Sequence, residues 1–135
     1  SDYKGLGFVV PNRDYFSTDF CHGTPDLILQ DTIYEFKSSW DCFTFPLFDA
    51  EPPKENIEQL QIYMHLTGKK KGFLVYTLMN TPDELVWDEA VDYSNIAPEY
   101  RVKEWEVDYD PNYIESVQNR VIECRNYINQ ITSKL

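Results

Sequence analysis

The six residues Phe73-Leu74-Val75-Tyr76-Thr77-Leu78 constrain this chain more than any other stretch. The run is apolar almost throughout, the pattern of a strand covered on both faces rather than one that shows alternate side chains to water. Such a strand needs neighbours and a core around it. The chain has 135 residues, 42% of them hydrophobic and 16% aromatic, which is enough apolar surface for one core and fits a single domain over residues 1–135.

The flanking sequence supplies those neighbours. Upstream, Pro25-Asp26-Leu27-Ile28-Leu29 and Thr32-Ile33-Tyr34-Glu35-Phe36-Lys37 are rich in β-branched and aromatic residues and are separated by Gln30-Asp31, so two strands and a tight turn form a hairpin. Residues 38–53 carry Trp40, Phe43, Phe45, Phe48 and the prolines Pro46, Pro52 and Pro53. That stretch is no regular helix and is too apolar for a bare linker, so an ordered loop over the site is expected. Over residues 54–66, Ile57, Leu60, Tyr63, Met64 and Leu66 recur at helical spacing ahead of Gly68, an amphipathic helix and its stop.

Downstream, residues 80–90 are polar and acidic, with turn signals at Asn80 and Pro82 and a short edge element around Leu85-Val86-Trp87. Residues 101–107 alternate at period two, the mark of a strand with one wet face. Asp110-Pro111 starts a helix that runs to about Ile131, with Ile114, Val117, Val121, Cys124 or Ile128, and Ile131 as its apolar stripe. Residues 4–10 and the Pro11-Asn12 turn read as a strand or extended arm rather than a helix.

Chemistry concentrates in the hairpin. Glu35 and Lys37 are two apart on a strand and share a face, while Tyr34 and Phe36 take the other. Asp26 and Glu35 lie at similar distances from the turn, so pairing brings Asp26 near Glu35 and Lys37. Two carboxylates and an ammonium then converge. Carboxylate oxygens hold Mg²⁺ or Mn²⁺ while leaving positions for water and a phosphate oxygen, and Lys37 is placed to orient the water or offset phosphate charge. For Glu-x-Lys alone, a solvated ion pair on a strand face is the plainer reading.

Pro25-Asp26, Glu35-Phe36-Lys37 and, on the helix, Gln59-Leu60-Gln61-Ile62-Tyr63 together resemble the PD-(D/E)XK nuclease superfamily. The Gln-x-x-x-Tyr element is similar to that of the RecB-type, lambda exonuclease-like branch. The resemblance covers residues 22–78. It implies an α/β fold with a restriction endonuclease-like core, a central mixed β-sheet flanked by helices. It also implies a Mg²⁺- or Mn²⁺-dependent exodeoxyribonuclease of phage or bacterial recombination and repair.

Residue by residue, the resemblance implies Asp26, Glu35 and the Phe36 carbonyl as metal ligands and Lys37 as the catalytic lysine. Gln59 would orient Lys37 or a substrate phosphate, and Tyr63 would line the DNA groove. For Tyr63, core packing is an equal alternative; for Gln59 the alternative is a solvated helix position. Gln61, on a different face, takes the polar role if the helix register shifts. His22, four residues before Asp26, is a further candidate metal ligand, set against a plain turn histidine. The superfamily core opens with a helix before its first strand; residues 1–20 do not read as one, so that helix is expected upstream of Ser1, or the fold is trimmed.

A formal charge of -11 and a pI near 4.4 exclude a broad basic surface for nucleic acid and leave room for a local positive patch, because acidic residues gather in 49–58, 83–92 and 99–110. The same charge motivates a second reading, a catalytically inactive nuclease-fold interaction module. A third is an RNA endonuclease of the cap-snatching kind, which uses a nearby histidine. Cys21, Cys42 and Cys124 show no CxxC spacing, so no iron–sulfur cluster is expected, only reduced and mostly buried thiols. Lys69, Lys70 and Lys71 read as a solvated turn before a DNA contact, and His65 as a surface residue. The loop aromatics read as core or subunit contact before base stacking. No apolar stretch suits a membrane span or signal peptide, so a cytoplasmic protein of a bacterial or phage-infected cell is expected. Its partners would be DNA and either a second copy or a protein of a recombination complex.

Overall fold

The computed structural model describes residues 10–39, 43–46, 49–80 and 92–135. Its elements in chain order are β1 (Phe16–Ser17), β2 (His22–Gly23), β3 (Leu27–Leu29), β4 (Thr32–Ser39), α1 (Lys54–Thr67), β5 (Lys71–Leu78), α2 (Pro98–Arg101), β6 (Val102–Asp108) and α3 (Pro111–Thr132).

A four-stranded mixed sheet in the order β3-β4-β5-β6 organises the chain. The expected hairpin forms as β3 and β4, antiparallel, with Leu27 opposite Tyr34 and Leu29 opposite Thr32. Its two-residue turn places Gln30 at φ 54°, a left-handed conformation that an L side chain adopts at a cost. β4 then pairs in parallel with β5, which requires a long crossover, and α1 supplies it. β6 adds antiparallel to β5. The apolar run of β5 is therefore flanked by strands on both sides, with Leu74, Val75 and Leu78 buried.

Register decides the two faces. Ile33, Glu35 and Lys37 of β4 align with Gly72, Leu74 and Tyr76 of β5, and Leu74 with Trp105 of β6. This is the face that α1 covers. Leu60 and Met64 pack on Ile33 and Leu74, with Ile57, Tyr63, Tyr76, Trp105, Val107 and Tyr109 around them. On the opposite face Leu27, Tyr34 and Val75 form a second cluster with Leu29, Phe73 and Val102. α1 ends at Gly68, whose φ of 74° is the left-handed stop expected there.

Several expectations need correction. β4 runs through Ser38 and Ser39, two residues that sequence assigns to the loop, because their backbone continues the ladder opposite Thr77 and Leu78. Arg101 belongs to the short helix α2 rather than to the following strand, since Pro98 fixes the first helical turn. α3 begins as expected, with the Asp110 carboxylate accepting from the N–H groups of Asn112 and Tyr113, a cap worth about 1 kcal/mol. Its stripe, however, buries only Ile114; Val117 and Val121 are half-buried and Cys124, Ile128 and Ile131 are exposed. Cys124 is thus no buried thiol, and Cys21 is half-buried. His65 is half-buried, its Nδ1 2.9 Å from the Tyr109 hydroxyl. The edge element around Leu85, the aromatics Trp40 and Phe48, Cys42 and the arm at 4–9 lie outside the described residues.

Candidate active site

Asp26 stands one residue before β3, and continuing the β3–β4 register by one step sets it opposite Glu35. The two strands lock this arrangement through their carboxylates. The backbone N–H of Asp26 donates to Glu35 Oε1 at 2.9 Å, and the backbone N–H of Phe36 donates to Asp26 Oδ2 at 2.9 Å. From the other side Asn12 pins the same segment: its N–H donates to the Asp26 carbonyl, and its Nδ2 to the Pro25 carbonyl, both at 2.9 Å. Sequence marked Asn12 only as a turn residue. Its partners lie thirteen and fourteen residues away, beyond any local pattern.

Glu35 is 2% exposed while Asp26 is open to solvent. Burial pushes the Glu35 carboxyl up to about 8, and the neighbouring Asp26 charge pushes the same way; the Asp26 N–H and the Lys37 ammonium offset part of this. A carboxyl group held out of water beside a carboxylate ionises more readily when a cation lies close to both.

Lys37 follows two residues later on the same face, and α1 reaches down to it. The Lys37 ammonium donates to Gln59 Oε1 at 3.1 Å, and Gln59 Nε2 donates to the Tyr63 hydroxyl at 3.1 Å. The amide thus turns its oxygen to the cation and its NH₂ to the phenol, one helical turn on. Burial, followed by the Glu35 charge, raises the Tyr63 hydroxyl above its ordinary pKa. The Tyr63 ring lies on the backbone of β2, where a Cβ at Gly23 would sit 2.4 Å from Tyr63 Cε1. Tyr63 is therefore both a packing residue and part of the polar chain.

Gln61 serves another end of the molecule. It is buried, its Nε2 donates to the Asp108 carbonyl at 2.8 Å, and its Oε1 accepts from the Asp110 N–H at 2.8 Å, which ties α1 to the start of α3. His22 is exposed, and its ring packs against Tyr15 with centroids 5.6 Å apart. Among the described residues no group of three His, Cys, Asp or Glu side chains is placed to hold a metal ion, so His22 does not join Asp26 and Glu35. Two carboxylates plus backbone oxygen suit Mg²⁺ or Mn²⁺, which complete their shells with water and substrate oxygens, better than an ion that wants an all-protein cage. The lysine cluster is divided: Lys70 lies over the Tyr109 ring and Lys71 pairs with Glu106 at 2.7 Å.

Two clefts open beside this constellation, and Phe36 lines both. One, of about 310 Å³, is bounded by Pro11, Asn12, Thr24, Pro25 and Asp26. The other, of about 730 Å³, lies where the parallel strands β4 and β5 end, among Lys37, Ser38, Thr77, Asn80 and Arg101.

The chain has the restriction endonuclease-like fold, an α/β arrangement with a central mixed sheet flanked by helices. Its structure is similar to that of a phage-related exonuclease from Haemophilus somnus 129PT, with a TM-score of 0.78 and 22% identity over 92% of this chain and 61% of that one. It is also similar to an alkaline exonuclease from Laribacter hongkongensis, with a TM-score of 0.66 and 18% identity over 96% of this chain and 63% of that one. The chain thus spans less than two thirds of either protein. No protein-family profile and no curated protein sequence matches it. Among the described residues no helix is long and apolar enough to cross a membrane.

Proposed function

We propose that the protein is a Mg²⁺- or Mn²⁺-dependent nuclease that hydrolyses DNA phosphodiester bonds, working as an exonuclease of the RecB-type, lambda exonuclease-like branch in recombination or repair. The observation that carries this reading is the convergence of Asp26, Glu35 and Lys37 on one edge of the sheet, with Lys37 held by Gln59 and Gln59 by Tyr63. That two proteins of similar structure are exonucleases supports it.

Asp26, Glu35 and the Phe36 carbonyl would hold the metal ion. When bound, such an ion polarises the phosphate and acidifies a coordinated water. The water oxygen would form the new bond to phosphorus and release a proton to solvent, while the bond to the departing sugar oxygen breaks and that oxygen leaves with a proton from solvent. Lys37 holds the attacking water or a phosphate oxygen in line, and Gln59 keeps the ammonium from swinging toward Glu35. The His22 ring, turned onto Tyr15, weighs against the RNA-cleaving alternative.

The test is incubation of linear and circular DNA with Mg²⁺ or Mn²⁺ and the parent, Asp26→Ala and Lys37→Ala proteins. Degradation of linear DNA by the parent alone is expected. Absence of metal-dependent cleavage, or variants as active as the parent, would overturn the proposal.

A further inference from the structure

Arg101 is unassigned by the site described above, yet it lines the same 730 Å³ cleft as Lys37. The cleft lies at the carboxyl ends of two parallel strands, where open α/β sheets receive ligands. Around it stand further hydrogen-bonding groups, Ser38, Thr77 and Asn80.

Two facts set Arg101 apart from a surface arginine. Its Nε is shielded from solvent and has no hydrogen-bond partner, a costly state for a charged donor group. Among the described residues it makes no ion pair, although Asp92 stands near enough to feel its charge. That carboxylate is engaged elsewhere: Asp92 Oδ1 accepts from Asn80 Nδ2 at 3.1 Å, from the Ser94 N–H at 2.8 Å and from the Ser94 hydroxyl. Asn80 Oδ1 in turn accepts from the Tyr93 N–H at 2.7 Å, which anchors residues 92–94 beside the cleft. A guanidinium whose Nε has no hydrogen-bond partner thus lines the cleft that Lys37 also lines. In a chain of net charge -11, such a pair of cations is also a local exception.

We infer that Arg101 binds the phosphate adjacent to the scissile one, so that a nucleic-acid strand runs from the cleft beside Asp26, across Phe36 and Lys37, to Arg101. The inference rests on the nuclease reading and extends it. A planar guanidinium takes a phosphate through two parallel N–H donors, which fixes the strand's register as well as adding affinity. Arg101 is a positioning residue here, since it holds the strand and touches no reacting bond.

The experiment measures binding of a fluorescent oligonucleotide with Ca²⁺ in place of Mg²⁺, across a salt series, alongside cleavage with Mg²⁺. Arg101→Gln should weaken binding about tenfold and lower the slope of log affinity against log salt by about one, while Arg101→Lys restores the slope. Oligonucleotides carrying one neutral methylphosphonate on either side of the scissile position give a second measurement. One of them should lose about tenfold in affinity for the parent protein and none for Arg101→Gln. This comparison includes an arm that requires no substitution, so poor folding of a variant does not spare the inference. A parent that cuts DNA yet binds both neutralised strands as well as the native one overturns the Arg101 assignment and leaves the nuclease reading standing. A parent that neither binds nor cuts overturns both.

Discussion

Asp26 and Glu35 are each bonded to the other's strand: Glu35 Oε1 accepts from the Asp26 N–H, and Asp26 Oδ2 accepts from the N–H of Phe36, next to Glu35. The bonds hold two carboxyl groups together at an edge where, once both are ionised, repulsion would otherwise part them. Backbone amides, which cannot wander as side chains do, set their spacing. The chemistry at this edge, and its dependence on pH, follow from that restraint.

Lys37→Ala should lower the DNA cleavage rate by about two to three orders of magnitude, the usual cost of removing one charge-stabilising donor. The melting temperature should hardly move, because Lys37 is half-exposed and contributes little to packing. A rate within a factor of three of the parent's, measured at saturating metal, would remove Lys37 from the mechanism.

The pH dependence has a definite sign. Folded Glu35 titrates at about 8 against an ordinary 4.5, so between these values the folded protein keeps a proton that the unfolded chain has released. The stability linked to that proton is whole below about pH 4.5 and is lost as pH rises through about 8. Thermal melts in EDTA should therefore fall from pH 5 to pH 9 more steeply for the parent than for Glu35→Gln. Added Mn²⁺ should raise the parent's melting temperature more at pH 8.5 than at pH 5.5, since cation and proton compete for the same oxygens. Parallel curves for parent and variant would contradict the assignment.

Gln59 and Gln61 should separate cleanly. Gln61→Leu removes both side-chain partners of the part-buried Asp108 carbonyl and Asp110 N–H, at about 0.5–1.5 kcal/mol for each lost hydrogen bond, so chemical denaturation should show a clear loss of stability. Gln59→Leu should cost little stability but reduce cleavage at least tenfold by freeing Lys37. Equal effects of the two substitutions on both readouts would show that α1 sits in another register.

Gly23→Ala places a methyl group 2.4 Å from Tyr63 Cε1. Tyr63 must then tilt or β2 must retreat, at about 1–3 kcal/mol. Denaturant unfolding should detect the loss, and Gly23→Ala combined with Tyr63→Ala should recover part of it. Full additivity of the two substitutions would mean the ring does not rest on that backbone.

Much of this architecture was legible locally. Alternation puts Glu35 and Lys37 on one strand face, helical spacing puts Leu60 and Met64 on one helix face, and Asp110-Pro111 and Gly68 mark helix ends, because each depends on residues within a turn or two. Asp26 could be paired with Glu35 for the same reason, the hairpin being closed by only two residues. Other features depend on how elements pack. Two glutamines on one helix carry identical chemistry, and only the placement of α1 on β4 and β5 sends Gln59 to Lys37 and Gln61 to the start of α3. The stripe of α3 has helical period along its length, but its apolar positions beyond Val121 are exposed. His22 lies near Asp26 in sequence and turns to Tyr15 in space. Arg101 joins the cleft of Lys37 from 64 residues away, through an antiparallel pairing of β6 with β5 that no local pattern announces. Periodicity records which way a side chain points from its own backbone; what stands opposite is decided when separate elements close on one another.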